Sequence, residues 1–344
     1  MLNANGERIM ARVAKIDSVV KHPDADTLDI CQVGGWKVVT RLGEFKAGDL
    51  AVYCEPDSFV PTEIAPFLSK GKEPRVYQGI SGEKLRTVKL RGVVSQGLLL
   101  PLDVIPCHIN HWLEGDDCSA ALGIVKYEPP IPTSLAGLAK GNFPGFLYKT
   151  DLERCQNLVP QIEQWAYNQV RWEVEEKVDG SSMTVYLRDG IFGVCSRNLE
   201  LQEDDNNSFW RAAKKFQLQE KIASTGRNLA LQLELAGNSI QKNPYKLAGH
   251  NIYLFDIYDI DAGQYLMPDE RYQLALDLDI NHAPIIHSCW EMPMSCSVED
   301  LLSFAEGKST INPTVEREGL AFKSLIGRTT FKAVSNSFLL NSGG

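Results

Sequence analysis

The chain has 344 residues, a length that predicts two domains rather than one. Its net charge of -9 argues against indiscriminate electrostatic binding of nucleic acid, although a local basic surface is compatible with it. The sequence contains no run of about 18 apolar residues, so it predicts no transmembrane helix and no membrane partner. Its first stretch, MLNANGERIM, lacks the apolar core of a signal peptide.

Eight cysteines are spread through the chain. None of them stands in a Cys-x-x-Cys pair, the spacing that zinc ribbons use. Scattered cysteines in a long chain are typical of reduced thiols, so we expect a cytoplasmic protein.

The first part of the chain, residues 1–102, reads as short strands separated by turns. The stretches IMARVAKIDSVVKH and LDICQVGGWKVVT are rich in Val and Ile and partly alternating, as strands are. Five or so short strands with Gly and Pro corners predict a small β-barrel of the oligonucleotide/oligosaccharide-binding (OB) type. A plain β-sandwich is also compatible with this pattern.

A basic run, KLRTVKLRG, lies near the end of this region and contains Lys89 and Arg91. Such a run is typical of a solvated strand face, and equally of the edge of a groove that binds nucleic acid.

Residues 103–145 show little periodic pattern, and their Pro- and Gly-rich stretch YEPPIPTSLAGLAKGNFPGF predicts a linker. In residues 146–344, strands alternate with helices, which predicts a mixed domain and an α+β fold class for the chain. Thr150, with Glu153 three residues later, predicts the start of a helix.

The stretch EEKVDGSS, residues 175–182, places a lysine among carboxylates at the end of a predicted strand. Alternate side chains of a strand face the same way, so Glu175, Lys177 and Asp179 share one face. An amine is a nucleophile only when it is neutral, and neighbouring carboxylates favour its charged form. Chemistry at Lys177 therefore requires positive charge nearby, with the carboxylates occupied by a metal.

Further carboxylates and lysines follow in later predicted strands. Glu234 lies in LELAG, Glu318 begins EGLAFK, and Lys332 lies in FKAVS. Asp179, Glu234 and Glu318 offer the oxygen ligands that a hydrated Mg²⁺ or Mn²⁺ takes. Lys323 and Lys332 can supply positive charge to a phosphate. Taken singly, each residue is also typical of an ordinary charge at a strand edge.

Taken in order, these motifs resemble those of the covalent nucleotidyltransferases, which are the DNA ligases, the RNA ligases and the mRNA capping enzymes. KVDG resembles their KxDG motif, and SRN, LELAG, YLFDIYDI, EGLAFK and FKAVS resemble the motifs that follow it. The stretches YKTDLERCQNL, SIQKNPY and GEFKAGDLAVYCEPDSFVP resemble one group in particular. That group is the Naegleria/Deinococcus type of ATP-dependent RNA ligase, in which an OB domain precedes the nucleotidyltransferase domain.

The resemblance implies a three-step reaction. Lys177 attacks the α-phosphorus of ATP to form lysyl-AMP, AMP passes to an RNA 5′-phosphate, and an RNA 3′-OH then displaces AMP. The implied cofactors are ATP and Mg²⁺ or Mn²⁺, and the implied partner is RNA with 3′-OH and 5′-phosphate ends. No protein partner is implied.

The resemblance also implies roles for individual residues. Lys332 is expected to act beside Lys177 at the α-phosphate, and Phe255 to lie against adenine. The expected ATP contacts are Glu175, Glu176, Arg154, Arg197, Phe255, Lys323 and Lys332. The expected metal-binding residues are Asp179, Glu234 and Glu318, and the expected RNA contacts are Lys89 and Arg91.

The last motif departs from the Lys-x-Lys pattern of many ligases, because Ala333 and Val334 follow Lys332. Lys323 could replace the second lysine only if the fold brought it to the same place.

Two other functions stay open at this point. DNA ligases and capping enzymes share the lysine, but they usually carry an OB domain after the last motif, and few residues follow Lys332. A nonenzymatic module that binds structured RNA is the second alternative, because VVKHPDADTLDICQVGG is similar to tRNA-binding OB domains with an HPxAD stretch. The histidines, including His22 of that stretch, show no metal-ligand spacing and are expected to be surface or core residues.

Overall fold

The computed structural model describes residues 8–106, 111–128 and 137–341. Part of the predicted linker, residues 107–110 and 129–136, lies outside this description.

The chain divides into two compact units. The first unit comprises Met1–Pro129, Cys155–Val159 and Asn336–Gly344, and the second comprises Pro130–Arg154 and Pro160–Ser335. Each unit is therefore built from segments that are separate in the sequence.

The described strands of the first unit are short and lie early in the chain. They are β1 (Ala11–Lys15), β2 (Ser18–Lys21), β3 (Leu28–Val33), β4 (Trp36–Arg41), β5 (Leu50–Cys54), β6 (Ser58–Pro61), β7 (Arg75–Tyr77), β8 (Ile80–Lys84), β9 (Val88–Leu90), β10 (Val93–Ser95), β11 (Leu98–Leu100) and β12 (Val125–Lys126).

The described strands of the second unit are longer near its centre. They are β13 (Ala139–Asn142), β14 (Glu153–Arg154), β15 (Arg171–Lys177), β16 (Ser181–Arg188), β17 (Ile191–Cys195), β18 (Leu199–Leu201), β19 (Leu229–Gly237), β20 (His250–Asp259), β21 (Gln264–Tyr265), β22 (Ile285–Glu291), β23 (Gly319–Ser324) and β24 (Thr330–Val334).

The helices of the described residues are short as well, and none of them has the length and apolar character that a membrane crossing requires. They are α1 (Val159–Tyr167), α2 (Ser208–Lys215), α3 (Leu218–Ser224), α4 (Pro268–Asp277), α5 (Val298–Ala305) and α6 (Asn336–Asn341).

In the first unit, β1, β5 and β11 form an antiparallel sheet with β5 at its centre. Val52 and Cys54 of β5 pack in one apolar cluster, whereas Ala51 and Tyr53 pack in another. Successive side chains of a strand face opposite ways, so β5 is buried on both faces. Its sequence, LAVYC, is accordingly a continuous apolar run rather than an alternation.

The sequence predicts about five strands before residue 102, and this number is wrong, because the described part of this region, residues 8–102, contains eleven. The apparent long strands are divided by tight turns. The turn between β9 and β10 consists of Arg91 and Gly92, with φ angles of 46° and 91°. Two successive positive φ angles are typical of a type I′ turn. In the sequence only Gly92 signals such a turn, because arginine shows no preference for positive φ.

The helix predicted to start at Thr150 is also absent from the structure. Glu153–Arg154 is strand β14, which pairs in parallel with β24, and helix α1 begins at Val159. The Thr150 hydroxyl lies 3.3 Å from the Ser182 hydroxyl instead of capping a helix. Pairing with β24 therefore prevails over the local capping signal.

The described residues of the second unit form two sheets. A seven-stranded sheet has the order β13-β18-β17-β16-β19-β20-β21, and a five-stranded sheet has the order β14-β24-β23-β15-β22. Apolar side chains of α2 and α3, among them Phe209 and Ile222, pack with Leu231 and Leu233 of the seven-stranded sheet. A short connection joins β15 of the five-stranded sheet to β16 of the seven-stranded sheet.

That connection, residues 178–180, carries the chain from one sheet to the other. A Cβ atom at Gly180 would lie 2.4 Å from the carbonyl oxygen of Leu235 and 2.9 Å from Cγ of Glu234. Only glycine permits this approach to β19. The close approach brings the end of β15, which carries Lys177, next to Glu234.

Candidate active site

Lys177 is the last residue of β15, and its ammonium donates a hydrogen bond to Glu318 Oε2 at 2.7 Å. Lys177 pairs with Gly319 in the ladder between β15 and β23, so Glu318 lies just before the partner strand. The Lys177 side chain is 27% exposed and that of Glu318 is 17% exposed. The pair is therefore accessible to a ligand.

Asp179 and Glu234 complete the electrostatic surroundings of this pair. Burial acts to lower the pKa of Lys177, but the negative charges of Glu318, Glu234 and Asp179 outweigh it and raise this pKa. The carboxylates therefore favour the charged form of Lys177, which agrees with the effect expected from the sequence.

The carboxylates are themselves crowded. Burial and the charge of Glu318 raise the pKa of Asp179 to about 6, although Lys177 opposes the shift. Burial, with Glu318 and Asp179, raises the pKa of Glu234 to about 8, again against the effect of Lys177. A site in which acids resist ionisation gains stability when a cation enters.

The three carboxylates do not form a closed metal cage. Across residues 8–106, 111–128 and 137–341, no group of three or more His, Cys, Asp or Glu side chains is placed to hold a metal ion. The donors are all oxygens, the type that Mg²⁺ and Mn²⁺ prefer.

Tyr245 fixes the backbone of this site. Its hydroxyl accepts a hydrogen bond from the backbone N–H of Asp179 at 2.6 Å. No role for Tyr245 is predicted from the sequence, although this residue ends the stretch SIQKNPY, which carries part of the resemblance.

A second group of charges lies on the same face of β15 but deeper in the protein. Lys323 is 3% exposed, and its Nζ lies 2.9 Å from Glu175 Oε2 and 3.6 Å from Asp256 Oδ1. Arg271 is fully buried, pairs with Glu173 and approaches Glu175 to 2.9 Å. Burial raises the pKa of Glu175, but Lys323 and Arg271 outweigh burial and hold it well below its usual range.

This buried ion cluster includes both Lys323 and Glu175, which the sequence assigned to ATP. Arg271 was missed, because a single arginine in a helix gives no local sign that it will be buried. An ATP contact for Lys323 and Glu175 stays a prediction, and their surroundings favour a supporting role.

Phe255 connects the buried ion cluster to the surface of the site. Lys323 donates a hydrogen bond to the Phe255 carbonyl, and its Nζ lies 5.7 Å from the centre of the Phe255 ring. The ring packs against an apolar cluster that includes Val178, the residue after Lys177. The ladder between β19 and β20 is irregular here, between Gln232 and Leu233. The irregularity falls at the place where Phe255 interrupts the pairing.

Glu176 points away from Lys177 and anchors a loop. Its carboxylate accepts hydrogen bonds from the Ser309 hydroxyl at 2.5 Å and from the Thr310 N–H at 2.6 Å. Both atoms belong to the segment before Glu318. The contact orders the approach to β23, and an ATP contact for Glu176 stays a prediction.

Of the remaining predicted residues of the second unit, Arg197 acts on the carboxylates around Lys177, whereas Arg154 and Lys332 lie in a neighbouring strand pair. Arg197 forms an ion pair with Asp151 at 2.6 Å, is half-exposed and acts to lower the pKa of Glu234. Arg154 is buried and pairs with Lys332 in the parallel ladder of β14 and β24. Their contacts with phosphates stay predictions.

Lys89 and Arg91 lie in the first unit, on the hairpin of β9 and β10. Both side chains are exposed, Lys89 within β9 and Arg91 in the turn. The hairpin therefore presents two cations to solvent.

Comparison with known proteins gives a family match for each of the two parts of the chain. The sequence model of the RNA ligase family matches residues 170–334, and that of an OB-fold domain matches residues 10–102. The structure of a Naegleria gruberi RNA ligase with PPi is 45% identical in sequence, with a TM-score of 0.88, and the match covers 96% of this chain and 98% of that one. The chain belongs to the RNA ligase family. The predicted family and the predicted fold class, an OB-type domain followed by an α+β domain, are thereby confirmed.

A second Naegleria gruberi structure, of a variant RNA ligase with ATP and Mn, gives the same identity, TM-score and coverage. This RNA ligase also shares a segment with another group. An 88-residue stretch is 35% identical to the phenylalanine–tRNA ligase β subunit of Burkholderia lata. That match covers 25% of this chain, which spans only 10% of the length of the curated relative.

The position of Lys323 generates a prediction about stability. Replacing it by methionine, Lys323→Met, removes one cation from Glu175 and is expected to lower the free energy of unfolding by about 3 kcal/mol. Urea denaturation measures the change. The double variant Lys323→Met/Glu175→Gln should recover part of the loss, because the unpaired charge is then absent.

The matched control is Lys308→Met, which removes the exposed ion pair with Glu316 and should cost less than about 1 kcal/mol. Equal, small costs for both lysines would show that Lys323 has no structural role.

Proposed function

We propose that this RNA ligase uses ATP to join an RNA 3′-OH to an RNA 5′-phosphate, with Lys177 as the nucleophile. The observation that carries the proposal is the position of Lys177 at an accessible strand end, hydrogen-bonded to Glu318 and within the field of Asp179 and Glu234. The Naegleria structures with PPi and with ATP and Mn support ATP and a divalent metal as the ligands.

The reaction proceeds in three steps, each of which forms one bond to phosphorus and breaks another. The Lys177 amine forms a bond to the α-phosphorus of ATP, and pyrophosphate leaves with the electrons of the broken P–O bond. A 5′-phosphate oxygen of RNA then displaces the lysine from AMP. Finally the RNA 3′-OH attacks the activated phosphate, the phosphodiester forms, and AMP leaves. Each step replaces one phosphoryl bond by another, which is the benefit of a covalent intermediate.

Before the first step, Lys177 has to lose a proton. Glu318 Oε2 is hydrogen-bonded to the ammonium at 2.7 Å and orients it, and the proton passes to solvent water once positive charge occupies the carboxylates. The raised pKa of Lys177 means that this transfer is unfavourable until further positive charge reaches the carboxylates. Arg197 and Lys332 are proposed to contribute such charge beside the phosphates.

Asp179, Glu234 and Glu318 are proposed to hold Mg²⁺ or Mn²⁺, partly through water. The bound ion would neutralise charge that develops on the phosphate oxygens. Gly180 and Tyr245 keep this arrangement in place, the first by allowing close approach to β19 and the second by fixing the backbone of Asp179.

Phe255 is proposed to lie against adenine. Its ring is partly buried beside Val178, and its carbonyl is held by Lys323. Lys323 and Glu175 then contribute to ATP binding by fixing Phe255 and β15, a proposal that their burial supports. Glu176 and Arg154 are proposed to act in a similar supporting way.

Lys89 and Arg91 are proposed to bind RNA phosphates, and the cytoplasm is the proposed location. Cys31, Cys54 and Cys118 of the first unit are free thiols, which supports a reducing compartment.

The first prediction from this function concerns the nucleophile. Lys177→Met and Lys177→Ala should abolish transfer of label from [α-³²P]ATP to the protein, because both remove the amine that lies in the field of Glu318, Glu234 and Asp179. Lys221→Met changes a partly buried lysine of α3, whose ammonium donates a hydrogen bond to the Asp279 carbonyl, and should keep the label. Label in either Lys177 variant at the wild-type level would assign the covalent step to another residue.

The second prediction concerns the metal. Asp179→Asn, Glu234→Gln and Glu318→Gln should each slow adenylylation on the order of tenfold or more, with the largest loss at limiting Mn²⁺ or Mg²⁺. The rate is measured across a metal titration. Glu316→Gln changes a carboxylate of the same loop that pairs with Lys308 and serves as the control. An unchanged metal dependence in all three variants would place the ion elsewhere.

The third prediction concerns the RNA. A 2′-OH distinguishes RNA from DNA at a given site, so we expect sealing to require ribose on the 3′-OH side. Matched nicks, each held by a bridging strand and differing only in the terminal 3′ sugar, measure this requirement. Equal sealing of ribose and deoxyribose ends would overturn the choice of RNA while leaving the lysyl-AMP chemistry intact.

A further inference from the structure

His22 of the HPxAD stretch is almost completely buried, with 1% of its surface exposed. Its Nδ1 accepts a hydrogen bond from the Asp24 N–H at 3.1 Å, and its Nε2 lies 3.1 Å from the Leu90 carbonyl oxygen. An accepting Nδ1 carries no hydrogen, so Nε2 is the donor to Leu90. The ring therefore connects two segments that are distant in the sequence, with Nδ1 facing the Asp24 N–H and Nε2 facing the Leu90 carbonyl.

The segment that His22 holds is the hairpin of β9 and β10. All three residues of β9 are exposed, so little apolar burial stabilises this strand. A two-stranded hairpin is only marginally stable by itself. Its β10 side is attached to the rest of the unit, because the Ser95 hydroxyl accepts a hydrogen bond from the Val39 N–H at 3.0 Å. On the β9 side, the hairpin receives the hydrogen bond from His22.

The turn after His22 also lies against the turn of the hairpin. An ideal Cβ at Gly92 would be 3.8 Å from Asp24 Oδ2. The hydrogen bond at Leu90 and the close approach of Asp24 to Gly92 therefore bracket Arg91, and Lys89 precedes Leu90 in the same strand.

We propose that His22 is a positioning residue for RNA binding, which fixes the hairpin so that Lys89 and Arg91 face the RNA backbone together. The proposal rests on the proposed function, because it takes this hairpin to be an RNA contact. His22 itself touches no RNA. It contributes by limiting the motion of β9, so that two cations meet phosphates without a further loss of backbone freedom.

Two substitutions separate the two hydrogen bonds of the ring. In His22→Gln, the amide nitrogen lies near the position of Nε2 and can still donate to Leu90. In His22→Asn, the side-chain oxygen lies near the position of Nδ1 and can accept from Asp24, but the side chain is too short to reach Leu90. The cations are removed by Lys89→Gln/Arg91→Asn, in which Asn-Gly is a favoured type I′ sequence and keeps the turn.

The experiment measures the affinity of the full chain for a nicked RNA duplex over a salt series. Every protein carries Lys177→Met, so that no covalent step intervenes. His22→Asn is expected to weaken binding about fivefold, the factor that one lost hydrogen bond gives. It should also reduce the salt dependence, as Lys89→Gln/Arg91→Asn does. His22→Gln should bind RNA like its parent.

The deciding comparison combines the variants. If His22 acts through the two cations, His22→Asn should cause no further loss in the Lys89→Gln/Arg91→Asn background. An equal loss in both backgrounds, or no loss in either, would overturn the positioning role. Thermal unfolding checks the fold, and His22→Thr, which suits a strand end and also cannot reach Leu90, replaces His22→Asn if that variant does not fold.

A failure of the proposed RNA contact has a different signature. In that case Lys89→Gln/Arg91→Asn would itself bind RNA as tightly as its parent at every salt concentration, and the role of His22 in RNA binding would fall with it. Sealing assays with Lys177 present would still report on the ligase reaction separately.

Discussion

The hydrogen bond between Lys177 and Glu318 is the interaction on which the rest of the site depends. It lies where β15 ends and β23 begins, and the connection through Gly180 brings β19 with Glu234 to the same place. The free site therefore stores a charged lysine among acids that resist ionisation. Entry of positive charge changes both conditions together, since it stabilises the carboxylates and releases the lysine from their field. Under the proposed function, binding of the ligand and activation of Lys177 are in this way one electrostatic event.

Below this site, the buried ion cluster gives β15 a fixed position. Glu175 and Lys177 are two residues apart on one face, yet their surroundings differ. Glu175 is enclosed by Lys323 and Arg271, whereas Lys177 remains accessible. Breaking a buried pair is costly, because it leaves a charge without a partner. Buried ion pairs thus fix β15 near Glu175, whereas the Lys177 side chain at the end of the strand is accessible.

The sequence predicted those features of the molecule that short, continuous sequence motifs encode. Lys177, Asp179, Glu234 and Glu318 carry recognisable motifs, and the structure brings these four side chains within one electrostatic group. The role of Arg271 was invisible, because its burial depends on β15 and β20, which are distant in the sequence. The predicted helix start at Thr150 failed for the same reason, since the pairing partner of Glu153–Arg154 lies in β24.

Two requirements conflict at Arg91, namely a backbone with positive φ and a positively charged side chain. Arginine has no special tolerance of positive φ, whereas asparagine adopts this conformation more readily. A search for more thermostable variants would therefore favour Asn-Gly at this turn, as consensus and turn optimisation commonly do. Such a variant would fold at least as well and would have lost the cation at the tip of the hairpin. Selection by melting temperature alone would remove this charge, and the stability of the folded state would not reveal the loss.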